Sequence, residues 1–380
     1  MVPLSRPHIT EAEVTAVTEV LRAGWPTNGP KTTEFENRVA HYLGVKHAIA
    51  MNSATSALYL ALVAQDIRGD VILPSFTFAA TANAVVTAGA TPVFADIEPD
   101  TCNLDPDDLS GRITPATEAV IVVHYAGHPA RMDRIMAIAE KYHLAVIEDA
   151  AGTLGGEWQG RKAGSFATAA FSFFPTQNIN CGEGGMLTTN DDVLACRVRT
   201  LAAHGIPTTT AERERSMRPW YRTATVPGYN FRLSNLLSAI GVEQMRKIDL
   251  LNGARRRHAR FFNENLAPFE ELVLPTELPD AKHVYQMYTV RVDGVERDVF
   301  VRALRERGVA ASVYFDPPVH LHECYREPYA RLQLPVTENA ASTIVTLPMF
   351  PSLTHAERDE VIESVENVLL KLPRTEKQCA

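Results

Sequence analysis

The chain has 380 residues, 46% hydrophobic and 22% charged, with a net charge of −8. That length calls for two domains, or one large domain with a smaller companion, of ordinary globular composition. Lys and Arg are scattered, no run of about 18 apolar residues occurs, and no two cysteines share a CxxC spacing; these features argue against a nucleic-acid groove, a membrane span, and a zinc site or redox pair.

Cys102, Cys181, Cys196, Cys324 and Cys379 are widely spaced and are expected to be reduced and structural. The start, Met1-Val2-Pro3-Leu4-Ser5-Arg6-Pro7, lacks the basic-then-apolar pattern of a signal peptide, so a cytoplasmic protein is expected. Over the first 245 residues, short apolar runs alternate with helical patterns. Strands are predicted at 71–73, 91–95, 119–123, 145–147 and 169–173, and helices near 33–43, 55–66, 79–89 and 131–142. The runs are apolar on both faces, as buried parallel strands are. The expected fold class is therefore α/β, a mainly parallel central sheet flanked by helices. After Pro227-Gly228 the pattern changes to one long helix over 233–266, a strand around Tyr285–Val292 and a helix around 298–308. A strand around Ala310–Tyr314 and a last helix at 355–371 complete a smaller C-terminal α+β domain.

Five segments carry candidate chemistry. In Asn52-Ser53-Ala54-Thr55-Ser56-Ala57-Leu58, small and hydroxyl residues open a helix, which makes either a plain cap or an anion site. Phe76 and Phe78, just past a strand end, are either core residues or a platform for an aromatic ring. Glu148-Asp149 ends an apolar strand, where open α/β sheets bind ligands. An aspartate there either caps the next helix or holds a protonated pyridine nitrogen. From Phe171 to Gly185 a strand runs into a glycine-rich turn, with Ser172 available to a phosphate. In Gly228-Tyr229-Asn230-Phe231-Arg232-Leu233-Ser234, Ser234 caps the long helix and Asn230 and Arg232 suit an anion or simply solvate the helix entry.

In this order and spacing the segments resemble the DegT/StrS family of pyridoxal-phosphate (PLP) sugar aminotransferases. The resemblance covers nearly the whole chain, from Gly24-Trp25-Pro26-Thr27-Asn28-Gly29-Pro30-Lys31 through Pro317-Pro318-Val319-His320-Leu321 to Leu347-Pro348-Met349-Phe350-Pro351. It implies a fold-type-I PLP-transferase, with residues 1–245 as a large cofactor-binding domain and 246–380 as the small one. It also implies a homodimer with shared active sites and a nucleotide-linked or related sugar substrate. Carried over, Ala54, Thr55 and Ser172 meet the cofactor phosphate, with Asn230 reaching it from the neighbouring subunit. Phe78 stacks on the ring and Asp149 partners the pyridine nitrogen.

The departures from the family pattern are specific. Gln177 stands where the family has the lysine that binds the cofactor covalently and shuttles the proton. A carboxamide is neither nucleophilic nor basic, so it forms hydrogen bonds but no Schiff base. Gly152 stands where the family places a glutamine near the ring oxygen, Ala54 where glycine is frequent, and Phe174 where the transaminases often have histidine. Three explanations compete: an engineered Lys→Gln change; divergence to a reaction with PLP or pyridoxamine phosphate (PMP) held non-covalently; and a chain that uses the old pocket without cofactor, as a catalyst or as a non-catalytic dimer partner. Two losses at cofactor contacts, Gln177 and Gly152, favour divergence. Lys31, Lys162, His124, His128, His204 and His320 lie in segments bordering the family's pocket, and of the groups that might take over, His320 and Tyr314 are the first choices.

Overall fold

The computed structural model describes residues 1–208 and 217–373; Cys379 lies outside them. Helix α1 (Glu11–Ala23) is followed by α2 (Pro30–Leu43), which has proline at its first position. Both stop at a left-handed glycine, Gly24 and Gly44. Strands and helices then alternate: β1 (His47–Met51), α3 (Ala54–Val63), β2 (Asp70–Pro74), α4 (Ala79–Thr87), β3 (Thr91–Ala95), α5 (Pro106–Arg112), β4 (Thr117–Val123), α6 (Met132–Tyr142) and β5 (Ala145–Asp149). The short β6 (Glu157–Trp158) and β7 (Arg161–Lys162) precede β8 (Thr168–Ser172), β9 (Gly185–Thr189) and α7 (Asp192–Ala202).

Seven strands form the central sheet in the order β1-β9-β8-β5-β4-β2-β3. Pairing is parallel from β8 to β3; β9 alone runs against the rest. All five predicted strands are present, with ends shifted by no more than about two residues. They were readable because both faces are buried: Ala119, Val120, Ile121 and Val122 of β4 are all fully enclosed.

The second half departs from expectation twice. The single helix predicted over 233–266 is two helices, α8 (Asn235–Met245) and α9 (Ile248–Leu266). Ser234 does cap the first, accepting from the Leu237 amide at 3.2 Å. The break falls at Lys247, whose backbone leaves helical geometry (φ −121°, ψ 12°) and whose ammonium reaches the buried Glu13 carboxylate at 2.5 Å. The turn lets α9 serve two cores: Ile248 and Leu251 pack with Phe35 and Phe173, and Ala259, Phe262 and Leu266 pack around the second sheet.

Beyond α9 come β10 (Leu272–Val273), β11 (Ala281–Lys282), β12 (Tyr288–Val292), α10 (Arg297–Glu306), α11 (Glu323–Arg326), α12 (Pro335–Thr343), β13 (Ile344–Leu347) and α13 (His355–Leu369). An antiparallel sheet β10-β12-β13 holds the second core, and β11 joins β6 and β7 of the first half. The strand predicted around Ala310–Tyr314 does not form. Only single bridges appear, Val309 to Val2 and Ser312 to Thr346, and the prolines at 317 and 318 end any further pairing. Among the described residues no helix is long and apolar enough to cross a membrane.

One backbone contact places the start of α3. A Cβ built on Gly185, the first residue of β9, would lie 2.2 Å from the Ser53 carbonyl carbon and 2.4 Å from the Ala54 amide nitrogen. Both neighbours are backbone and cannot swing aside. Gly185→Ala is therefore expected to cost about 2–3 kcal/mol or more, read as a lowered denaturant midpoint. A midpoint equal to wild type would show that the contact is soft.

Candidate functional site

The groups that could act on a ligand gather at the carboxyl ends of the parallel strands, where the alternation of side chains assigns neighbours to different tasks. At the end of β5, Glu148 is fully buried and structural. It accepts from the amides of Gly164 (2.7 Å) and Ala167 (2.8 Å) and pairs with His124 Nε2 at 3.1 Å. His124 Nδ1 accepts the Ala130 amide at 3.0 Å, so its proton sits on Nε2 and is given to Glu148. Asp149 points the other way. Its Oδ2 accepts from Thr81 Oγ1 at 2.8 Å, Thr81 is linked to Thr77 at 2.9 Å, and Oδ1 accepts the Ala151 amide at 3.3 Å. Burial pushes the Asp149 carboxyl above the usual range, against the downward pull of Thr81, Ala151 and His124.

At the start of α3, Ser53 is both the cap and the limit of the cap. Its hydroxyl accepts the Ser56 amide at 3.1 Å. Among the described residues the amides of Ala54 and Thr55 have no acceptor, and Thr55 is exposed. The cap and the anion site are thus compatible. Ser172, at the end of β8, accepts the Phe174 amide at a long 3.3 Å, which leaves its own proton to give.

The loop after β8 is held tightly. Three successive carbonyls are gripped by side chains from the C-terminal half: Thr176 O by Gln286 Nε2 (2.9 Å), Gln177 O by Arg255 Nη2 (3.0 Å) and Asn178 O by Arg255 Nη1 (3.0 Å). Arg255 is buried, and burial lowers its pKa to about 9. Within this fixed loop the Gln177 side-chain oxygen Oε1 is buried and, among the described residues, has no hydrogen-bond partner. Gly152 leaves its side-chain space to Gln286, whose Oε1 would stand 3.0 Å from a Cβ there.

Phe78 is 65% exposed at the head of α4, its ring 6.3 Å from that of Phe315. Tyr314 lies half-buried beside it, with its carbonyl accepting from Tyr125 Oη and its ring 5.8 Å from Phe315. Asn230 is exposed and accepts from Arg232 Nε at 3.1 Å, while Arg232 Nη2 reaches His204 Nε2 at 3.2 Å.

His320 is a correction. It is fully buried, with Nδ1 2.7 Å from Ser75 Oγ and its ring beside Phe94; burial pulls its pKa down. Glu338 Oε1 is 3.6 Å from Nε2, too far for a hydrogen bond. The proline-rich turn before it folds the imidazole into the core instead of presenting it to a substrate. The lysines near the region are committed too. Lys31 Nζ pairs with Glu34 and Lys162 Nζ with Glu157, at 3.2 and 3.1 Å. His128 donates from Nδ1 to Pro129 O (2.7 Å) and accepts the Leu278 amide at Nε2 (3.2 Å), and burial lowers its pKa to about 4. Thr77 and Thr81, at i,i+4 spacing beside Phe76 and Phe78, carried no signal in the sequence that distinguished them from ordinary helix-entry threonines. Arg255 stood in a run of three arginines that reads as a solvated face, and Gln286 carried no local signal.

Known proteins share both the sequence and this architecture. An uncharacterized protein of Methanocaldococcus jannaschii, MJ1066, is 37% identical over 97% of each chain. The aminotransferase TlmJ of Streptoalloteichus hindustanus superposes with a TM-score of 0.91 at 31% identity, over 97% of this chain and 99% of that one. A putative sugar aminotransferase of Streptococcus pneumoniae, Spr1654 in its PMP form, gives 0.92 at 28% identity, over 98% and 100%. The fold is that of the fold-type-I aminotransferases. Residues 7–366 match the DegT/DnrJ/EryC1/StrS aminotransferase family, and with strand ends, helix start and buried aspartate arranged as described, the chain belongs to that family.

Proposed function

We propose that this chain acts on an amino- or keto-sugar, nucleotide-linked or from natural-product synthesis, with PLP or PMP held non-covalently, PMP by preference, and with ordinary transamination disabled at Gln177. The observation that carries the reading is the buried, unpartnered Gln177 Oε1. Leaving a buried acceptor unsatisfied costs about 1–3 kcal/mol. The amine of PMP is a donor that would satisfy it, whereas the aldehyde of PLP offers only another acceptor.

The other residues fit the same ligand. The free amides of Ala54 and Thr55, at the positive end of α3, and the Ser172 hydroxyl suit a phosphate dianion. Asn230 of a second copy would complete that site in a homodimer. Asp149 is a buried carboxyl without a cationic partner, and a protonated ring nitrogen would let it ionise. Phe78 offers an exposed face for the ring. The cofactor, when bound, supplies an electron sink. Asp149 keeps the ring nitrogen protonated, the helix start anchors the phosphate, and Gln177 orients an amine without exchanging protons with it. The step at which the family's lysine would move a proton has no agent at residue 177. Residues 1–245 form the cofactor domain of this reading and 246–380 the smaller one, in a cytoplasmic protein.

Two results would test it. Incubation with PLP and borohydride should leave the intact mass unchanged, while PMP binds with near-ultraviolet absorbance only. Gln177→Lys should then give a visible band with PLP, since it supplies the missing nucleophile, although Gly152 still lacks the family's contact near the ring oxygen. A phosphopyridoxyl adduct on any lysine of the wild type would overturn the proposal.

The second result uses the sign of the Asp149 shift. A carboxyl whose pKa is raised on folding binds its proton more tightly in the folded state. Its favourable contribution is present at low pH and is lost as pH rises through the raised value. At pH 8 the cofactor-free Asp149→Asn variant should therefore melt above wild type, yet bind PMP at least roughly tenfold more weakly through loss of a charge-assisted bond. A variant that binds PMP like wild type would remove Asp149 from the site.

A further inference from the structure

Gln286 stands outside every motif legible in the sequence, yet it joins the two loops that border Asp149 and Gln177. Its Nε2 donates to Thr176 O, one residue before Gln177. Its carboxamide lies over Gly152, three residues after Asp149, where a Cβ would meet Oε1 at 3.0 Å and Cδ and Cγ at 3.3 Å. The backbone beneath is fixed. Val284 N donates to Gly127 O at 3.0 Å, Met287 N donates to Ala126 O at 3.3 Å, and a Cβ on Gly127 would lie 2.9 Å from Gln286 N. Gly127 holds a left-handed φ of +94°, so neither space nor conformation there admits another residue easily. Gln286 is 8% exposed. Only one of its two N–H donors is engaged, and among the described residues its Oε1 accepts no hydrogen bond.

The Gln286 side chain is nearly buried and anchored by one hydrogen, while its Oε1 is not enclosed and stays open to solvent or to a ligand that replaces it. It is held from below by two glycines and from the side by Thr176. We infer that Gln286 is a ligand-contacting residue whose carboxamide meets the ring oxygen of bound PMP, and that Gly152 is glycine because a side chain there would displace it. The inference rests on the cofactor reading above. A carboxamide suits this oxygen in either protonation state, accepting from the hydroxyl or donating to the oxyanion. The contact would come from the C-terminal half of the chain, so the ring would be gripped by Asp149 on one half and Gln286 on the other.

The test compares PMP with its 3-deoxy analogue, which lacks the ring oxygen, by fluorescence titration of wild type, Gln286→Leu and Gly152→Ala. Melting of each cofactor-free protein checks that it is folded. Wild type should prefer PMP by roughly five- to tenfold, the scale of one hydrogen bond. Gln286→Leu should bind the two ligands alike, because it deletes the carboxamide, and Gly152→Ala should narrow the preference, because its Cβ would crowd Oε1 at 3.0 Å. The ratio is read within each protein, so a general loosening of the loop cancels. A wild type that binds PMP without preferring it, or variants that keep the wild-type preference, would overturn the role of Gln286 and leave the cofactor reading standing. A wild type that binds neither ligand would overturn both.

Discussion

The grip on the loop of residues 176–178 is the constraint from which the site follows. Three consecutive peptide carbonyls point at buried donors, two of them on one guanidinium. Among the described residues no carboxylate pairs with Arg255 and its Nε has no partner, so its charge meets the carbonyls of Gln177 and Asn178 and the side-chain oxygen of Asn252. An arrangement of this kind is costly to bury and is tolerated only where geometry is fully specified. Asn252 adds to it, accepting from Asn178 Nδ2 at 3.1 Å and donating to Leu154 O at 2.8 Å. Residues far apart in sequence thereby fix where the Gln177 side chain begins. The position of the residue at 177 is a property of α9 and of the approach to β12 as much as of its own loop.

The same economy appears at the strand ends. Alternation along β5 sends Glu148 to one side, where it ties the loop at 164–167 and His124, and Asp149 to the other, where only threonine hydroxyl and one amide meet it. One carboxylate is saturated and the next is left short of partners. That contrast is what the proposed role of Asp149 rests on. At α3 a serine satisfies one amide and leaves two, and the glycine at 185 brings β9 against that helix start.

The large sheet was legible because its buried parallel strands are apolar on both faces. The break between α8 and α9 was not legible, since Arg246-Lys247 are good helix formers and the turn is imposed by Glu13, more than two hundred residues away. The run Ala310–Tyr314 has strand-like composition but makes only a single bridge to the free edge of β13, at Ser312–Thr346, before the prolines at 317 and 318. Residues 54, 55, 149, 172 and 177 of the proposed site stood out in the sequence by their motifs and spacing. His320 was misread, because a histidine in a proline-rich turn looks exposed until the turn is folded against Ser75 and Phe94. Arg255 and Gln286 were invisible: each acts on a segment 77 or more positions away, by tertiary contact alone.

These contacts bear on what a glutamine at residue 177 changes. An amine placed there would share its loop with a buried guanidinium, and both burial and a nearby like charge favour the neutral form of an amine. The surroundings are thus suited to an uncharged amine, whether it is attached to the chain or brought by a ligand. A carboxamide keeps the length and the polarity of the position while removing nucleophile and base together. What it adds is an acceptor in a place enclosed by protein, and an acceptor there selects for a donor. On the function proposed above, a pocket that would take an aldehyde through a lysine would instead favour the amine form of the same molecule.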